Sequence, residues 1–395
     1  MIKGKDYNCI FFTSYLTFAI LGSNIAIGFI AMSHITLFIW AVYFLQKKLR
    51  NCSDLKNESS TTYKNLVILL LTFIIIILIS IITNFESAIN LLNSIQKVKY
   101  YLVILLLIYL VDNNFLKINL LRISNFILII SSIASVYGLY NYLQYGGRLG
   151  SFAGVMNFPH NLAIIIVFNC SVLLAKQNSK SILFKSLYLT GITVNTFAIY
   201  LSYTRGAWIA FGSGMILLLF ISKIKLIHKT IIFCILPFII HYGTDFSSHV
   251  FGNHRDGSNN VRFELIKFGL KTIKENPITG IGYKQFGKFF KTNHKKYDIA
   301  YINEAYSDHA HNTYIEICAT TGIIGVSILL TIIIYWINII YSNKTFKPIF
   351  LPATLCILIS GLTHHNFGIA QNLTFITVMI VISLVLIKNE NNLVT

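Results

Sequence analysis

The chain is short of what a soluble domain needs. Only 12% of its 395 residues are charged, about half the usual share and too little to clothe a water-facing surface of this size. Prolines number five, so little interrupts long helices. The six cysteines are scattered without a CxxC pair, which argues against a disulfide framework and against a thiolate zinc site. The opening MIKGKDYN before an apolar run looks like a signal peptide. Apolar sequence continues to Leu45 without a convincing cleavage site, however, and we read an uncleaved first span.

What the chain does have is apolar length. Hydrophobic residues make up 55%, the mean hydropathy is +0.67, and apolar stretches near the length of a bilayer crossing recur. The expected fold class is an all-α polytopic membrane protein of about twelve transmembrane helices. They are placed near 8–24, 25–46, 64–83, 99–111, 123–143, 157–175, 186–203, 207–222, 230–243, 313–340, 348–363 and 372–387. The stretch 100–111 is short, and reads as re-entrant or as borrowing flanking residues. Three regions follow: 1–243 with spans 1–9, a large loop 244–312, and 313–395 with spans 10–12 and a tail.

The basic residues set the expected orientation. With both termini inside, the cytoplasmic segments hold 18 of the 32 Lys and Arg, the large loop ten, and the short outer loops only Lys97, Lys99, Arg148 and Arg205. This is a strong positive-inside pattern. It accounts for most of the net charge of +18 and removes nucleic acid as the implied partner.

The large loop carries ten basic and seven acidic residues and no cysteine. Within it, NNVRFELIKFGLKTIKENP predicts an amphipathic helix capped by Asn260 and closed by Pro277. Ile266, Leu270 and Ile273 share its apolar stripe with Arg262, while Lys267, Lys271 and Lys274 spread away. ITGIGYKQFGKFFK then gives a glycine turn and a second short amphipathic piece.

Several groups could do chemistry. Arg205, in LSYTRGAWIAF, sits between two spans at the outer boundary. It is either an interfacial arginine beside Trp208 or an anion ligand, its fork matching phosphate oxygens and the helix start adding N–H groups. Arg262 could pair with Glu264 or Glu304, or form a two-arginine clamp with Arg205 suited to pyrophosphate. SDHAHNTYIEI places Asp308, His309, His311 and Asn312 at the mouth of span ten. A cap, a general base, and a metal site drawing on Asp308, His309, His311 and Glu304 all stay open there. YGGRLGSFAGVMNFPHNLA brings Arg148, His160 and Asn161, and THHNFG brings His364 and His365, to the same outer side.

Four of these stretches, in order, resemble the O-antigen ligase and polymerase superfamily of bacterial envelope polysaccharide synthesis. RLGSFAGVMNFPHNLA is similar to its Arg–Gly-x-Phe…Asn-x-x-Ala segment, and SYTRGAWIAF to its Ser/Thr-Arg-Gly-Ala-Trp motif. RFELIKFGLKTIKENPITGIGYKQF is similar to its arginine helix followed by Pro-x-x-Gly-x-Gly, and HAHNTYIEICATTGIIGV to its His-Asn-x-Tyr…Gly-x-x-Gly segment. The likeness runs from Arg148 to Val326.

The resemblance implies a cofactor-free, metal-independent glycosyltransferase at the outer face of the inner membrane, with the large loop periplasmic. Its donor would be a glycan on undecaprenyl pyrophosphate. It implies His311 as general base and Arg205 and Arg262 as pyrophosphate ligands, with Arg148, Asn161, His309 and Asn312 as support or acceptor pocket. A ligase would transfer the glycan to a lipid A–core sugar, a polymerase to another carrier-linked repeat. A single large outer loop leans, as family habit, to ligase, with protein O-glycosyltransferases of the same superfamily behind. A transporter is the alternative of another class, since twelve spans is a common transporter count. It would be expected to show polar or broken spans, whereas these read as plain Ile, Leu and Phe.

Overall fold

The computed structural model describes residues 16–17, 61–84, 88–112, 116, 118–151, 154–175, 182–222, 254–299 and 307–394. The spans expected near 25–46 and 230–243 lie outside these residues, as do Glu304 and all of the span near 8–24 except residues 16–17. Among the described residues the chain is helical, in eleven α-helices. These are α1 (Thr61–Thr83), α2 (Ala88–Asp112), α3 (Leu120–Tyr145), α4 (Gly154–Ala175), α5 (Ile182–Leu201) and α6 (Arg205–Ile221). The loop contributes α7 (His254–Glu275) and α8 (Phe286–Asn293), and the remainder α9 (Thr313–Ser342), α10 (Lys347–Thr363) and α11 (Ala370–Val394).

Seven helices are long and apolar enough to cross a membrane, with α6 and α10 as shorter apolar helices. The protein is therefore a multi-pass membrane protein. The stretch near 99–111 does borrow flanking residues, its apolar core running over Ser94–Asp112. On α1, Ile68, Ile75 and Ile82 are exposed at more than half of their surface, as expected of residues that face lipid. Where α3, α4 and α5 meet, polar side chains satisfy one another instead. Ser124 donates to Asn169 Oδ1 at 2.8 Å, Tyr188 donates to Ser124 at 2.8 Å, and Asn195 donates to Ser131 Oγ at 2.9 Å. Such bonds hold helices together where hydrophobic drive is weak.

Two packings position the site. First, α10 lies against both α4 and α6. Gly206 allows this near the start of α6, because a Cβ there would stand 2.3 Å from Thr363 Oγ1.

Second, α9 is broken, against the expectation of uninterrupted spans. Gly322 has φ 71 and ψ −178 inside the helix, a conformation open mainly to glycine. The break frees the carbonyls of Ala319 and Thr320, which accept from Ile281 N–H at 3.0 Å and Gly282 N–H at 3.1 Å. In return, Ile323 N–H donates to Pro277 O at 2.8 Å. The Pro-x-x-Gly-x-Gly turn is thus stitched by backbone into the kink of α9, which fixes the loop helix α7 against the start of that span.

Helix α7 begins at His254, so Asn260 lies inside it and does not cap it. Its buried stripe is Leu265, Phe268 and Thr272, while Leu270 is half exposed. The register is set by Phe268, whose ring meets Phe286, Phe290 and Tyr297 at centroid distances of 5.6, 4.9 and 5.2 Å. One aromatic cluster outweighs three aliphatic residues on the neighbouring stripe.

Candidate active site

The site gathers at the start of α9. Asn312 is its cap: Oδ1 accepts from Tyr314 N–H at 3.0 Å and Ile315 N–H at 3.1 Å, while Nδ2 donates to Leu362 O at 3.1 Å. The side chain is spent on structure, so the capping reading holds for Asn312, and it ties α9 to the end of α10. Thr313 adds a second tie. Its hydroxyl donates to His364 O and accepts from Asn366 N–H, both at 2.8 Å.

His311 precedes the cap with φ 51, a left-handed conformation that costs a non-glycine residue about 1–2 kcal/mol. Neighbouring bonds hold it there. Ala310 N–H donates to the buried Glu316 carboxylate at 2.7 Å, and Asn312 anchors the other side. Strain kept at a titratable residue points to use.

Around His311 stand other imidazoles. His309 lies 4.3 Å from it by ring centroids, and 6.4 and 5.6 Å from His364 and His365. His364 stacks on His160 of α4 at 4.7 Å. One ring nitrogen each of His309, His311 and His364 lies within 4.8 Å of the others. Burial first, then His311, Lys284 and Arg262, depresses His309 to about 3, and burial pushes His364 and His365 well down. These three rings are neutral near neutral pH. His309 Nε2 and the Nδ1 atoms of His364 and His365 are buried without hydrogen-bond partners.

Arg262 reaches this cluster from α7. Its charge bears on both His309 and His364. Its own pKa is lowered by burial and then by Arg205, so two guanidiniums from distant segments share one field. Among the described residues Arg262 makes no ion pair with Glu264, whose carboxylate stands 3.7 Å from Lys267. Arg205 is the first residue of α6. The companion Trp208 is buried and donates to Ile199 O at 3.0 Å, so it is a packing residue and not a membrane-surface one.

Arg148 braces this corner. It donates to Ser202 O at 3.2 Å and to Thr204 Oγ1 at 3.0 Å, fixing the turn that presents Arg205. Asn161 is buried with its Nδ2 unpartnered, but the contacts to the cluster come from its neighbours. His160 Nδ1 bonds Ser360 Oγ at 2.8 Å, and Asn157 Oδ1 bonds His364 Nε2 at 2.8 Å. Sequence reasoning named His160, His364 and His365 only as outer polarity, and it missed Asn157, Ser360 and Glu316. The signal available was a pair of histidines at a span end facing the same side as His311. Asp308 is not among the converging metal-capable groups, which draw on His364 instead.

Comparison with known proteins agrees with the resemblance. The family model described as O-Antigen ligase matches residues 190–330, a stretch holding Arg205, Arg262 and His311 but neither Arg148 nor His364. The chain is 27% identical over 187 residues to an uncharacterised protein of Haemophilus influenzae, covering 42% of this chain and 45% of that one. It is 32% identical over 93 residues to the exopolysaccharide production protein ExoQ of Rhizobium meliloti, covering 23% and 21%. The matches thus span less than half the length of either relative. They place the chain's resemblance in the O-antigen ligase and polymerase superfamily and support a membrane enzyme of that type.

Proposed function

We propose that the protein is an O-antigen ligase. It would transfer a glycan from undecaprenyl pyrophosphate to a sugar hydroxyl of a lipid A–core acceptor at the periplasmic face of the inner membrane. The observation that supports this reading is a chain of charge contacts across three segments: Arg205 acts on Arg262, and Arg262 acts on His309, the ring beside His311.

The chemistry follows from the groups. A pyrophosphate leaving group needs charge stabilisation more than a proton, and two guanidiniums supply it. The acceptor hydroxyl is a weak nucleophile, and His311 accepts its proton as its oxygen attacks the anomeric carbon, help worth about 10²–10⁴-fold. The carbon–oxygen bond to the pyrophosphate breaks as the new one forms on the opposite face, inverting the centre. Undecaprenyl pyrophosphate leaves as an anion held by Arg205 and Arg262. No step needs a metal.

One large loop, and not two, favours ligase over polymerase. The break in α9 is the feature that could favour a transporter, but the Pro-x-x-Gly-x-Gly turn fills it. Deletion of the gene followed by analysis of surface polysaccharide tests the proposal. Ligase loss leaves bare core with accumulated polymeric donor. Chains of a single repeat on the core would mean polymerase, and unchanged polysaccharide would sink both.

A further inference from the structure

We propose that His309, His311 and His364 form a binding site for a transition-metal dication, Zn²⁺ or Cu²⁺, whose occupation switches the transferase off. The switching half rests on His311 being the base; the binding half does not.

The ligand set comes from two loops brought together by Asn312 and Thr313. Three ring nitrogens lie within 4.8 Å of one another. A tetrahedral zinc with nitrogen ligands at about 2.0–2.1 Å needs them roughly 3.3 Å apart. Each pair therefore has to close by no more than about 1.5 Å, within reach of imidazole rotations because none of the three residues lies inside a helix.

Two observations beyond proximity point to a ligand. His309 Nε2 and His364 Nδ1 are buried with no hydrogen-bond partner, a costly state for atoms that could otherwise be solvated. His364 is also oriented from behind. Its Nε2 meets Asn157 Oδ1 at 2.8 Å, and that oxygen also receives Asn372 Nδ2 at 3.4 Å. Asn157 thus presents its acceptor, His364 Nε2 carries the hydrogen, and the lone pair is left on the buried Nδ1. Outer-shell hydrogen bonds fix metal-binding histidines in this manner. His160, stacked on His364 and held by Ser360, locks the ring plane.

Charge sets the selectivity. Arg262 and Lys284 act on the same cluster and oppose any dication, so hard ions that depend on Coulomb attraction are excluded. Zn²⁺ and Cu²⁺, which bond strongly to neutral imidazole, remain. A bound ion occupies the His311 lone pair that would take the hydroxyl proton, so transfer stops while the metal stays.

The test uses the purified full chain in nanodiscs, with any affinity tag removed and chelator washed away. Titration with Co²⁺ is expected to give visible d–d absorption saturating at one ion per chain. Zn²⁺ should abolish it and Mg²⁺ should not. His364→Asn should raise the half-saturating Co²⁺ concentration at least about tenfold, while His365→Ala should not. No saturable spectrum, or a spectrum indifferent to His364→Asn and to His309→Ala alike, overturns the site. Because this arm needs no glycan donor, it stands or falls separately from the transferase reading. In the transfer assay, Zn²⁺ should inhibit reversibly with chelator, and stoichiometric binding without inhibition overturns the switch.

Discussion

The two stretches that meet the first turns of α9 are built on opposite rules. The turn from Pro277 to Gly282 docks into the kink at Gly322 with backbone groups matched across it: two carbonyls of the broken helix receive two N–H groups, and Ile323 N–H is returned to Pro277. The histidine corner beside it leaves ring nitrogens of His309, His364 and His365 without partners and holds His311 in a left-handed conformation. Both regions are glycine- and histidine-marked motifs in the sequence, and both are buried. The bonded one is scaffold, because its backbone groups are spent on joining the loop turn to the broken helix. The unsaturated one is where chemistry is available, since its ring nitrogens are buried with hydrogen-bonding capacity unused.

Variants can break this contrast, beginning with the scaffold. Gly322→Val should prevent the fold from accumulating, because a Cβ there would stand 1.8 Å from Ile278 O at φ 71. We expect a loss on the order of 3–5 kcal/mol, read as absence of a monodisperse peak after detergent extraction. A well-behaved, active variant would show that the kink is dispensable. His311→Ala, by contrast, should lower transfer by about 10²–10⁴-fold while the protein inserts, extracts and melts nearly as before. Parallel loss of activity and melting temperature would make His311 scaffold too. The gentlest change is Arg205→Lys, which keeps the charge and loses the fork. Its transfer rate should fall roughly 10–10²-fold, somewhat less than for loss of a whole transition-state donor, with the larger part in KM for the donor; near-normal kinetics would argue against bidentate phosphate contact.

Much of this was legible in the chain. Apolar length made the helices legible: the nine expected spans within the described residues fall on helices, seven of them long and apolar enough to cross a membrane. Asn312 as cap and Gly280 and Gly282 as a turn also followed from local chemistry. The stripe of α7 was misread because aliphatic spacing alone fits two registers, and the choice between them fell to Phe268 meeting Phe286 and Phe290. Of the two readings left open at Arg205, the interfacial one loses its partner, because the Trp208 indole N–H is buried and donates to Ile199 O.

By itself the sequence determined a helical membrane protein, arginines and histidines gathered near the ends of its helices, and a His-Asn pair at the start of one of them. Those features depend on local spacing and on the cost of burying backbone in lipid. Only the tertiary structure decided that His364, more than fifty residues downstream, brings a ring nitrogen within 4.8 Å of those of His309 and His311. It likewise decided that Arg148 props Arg205 and that a glycine turn closes the break in α9. Each of these is a meeting of distant segments, set by which helices pack together, and spacing along a chain carries no record of that.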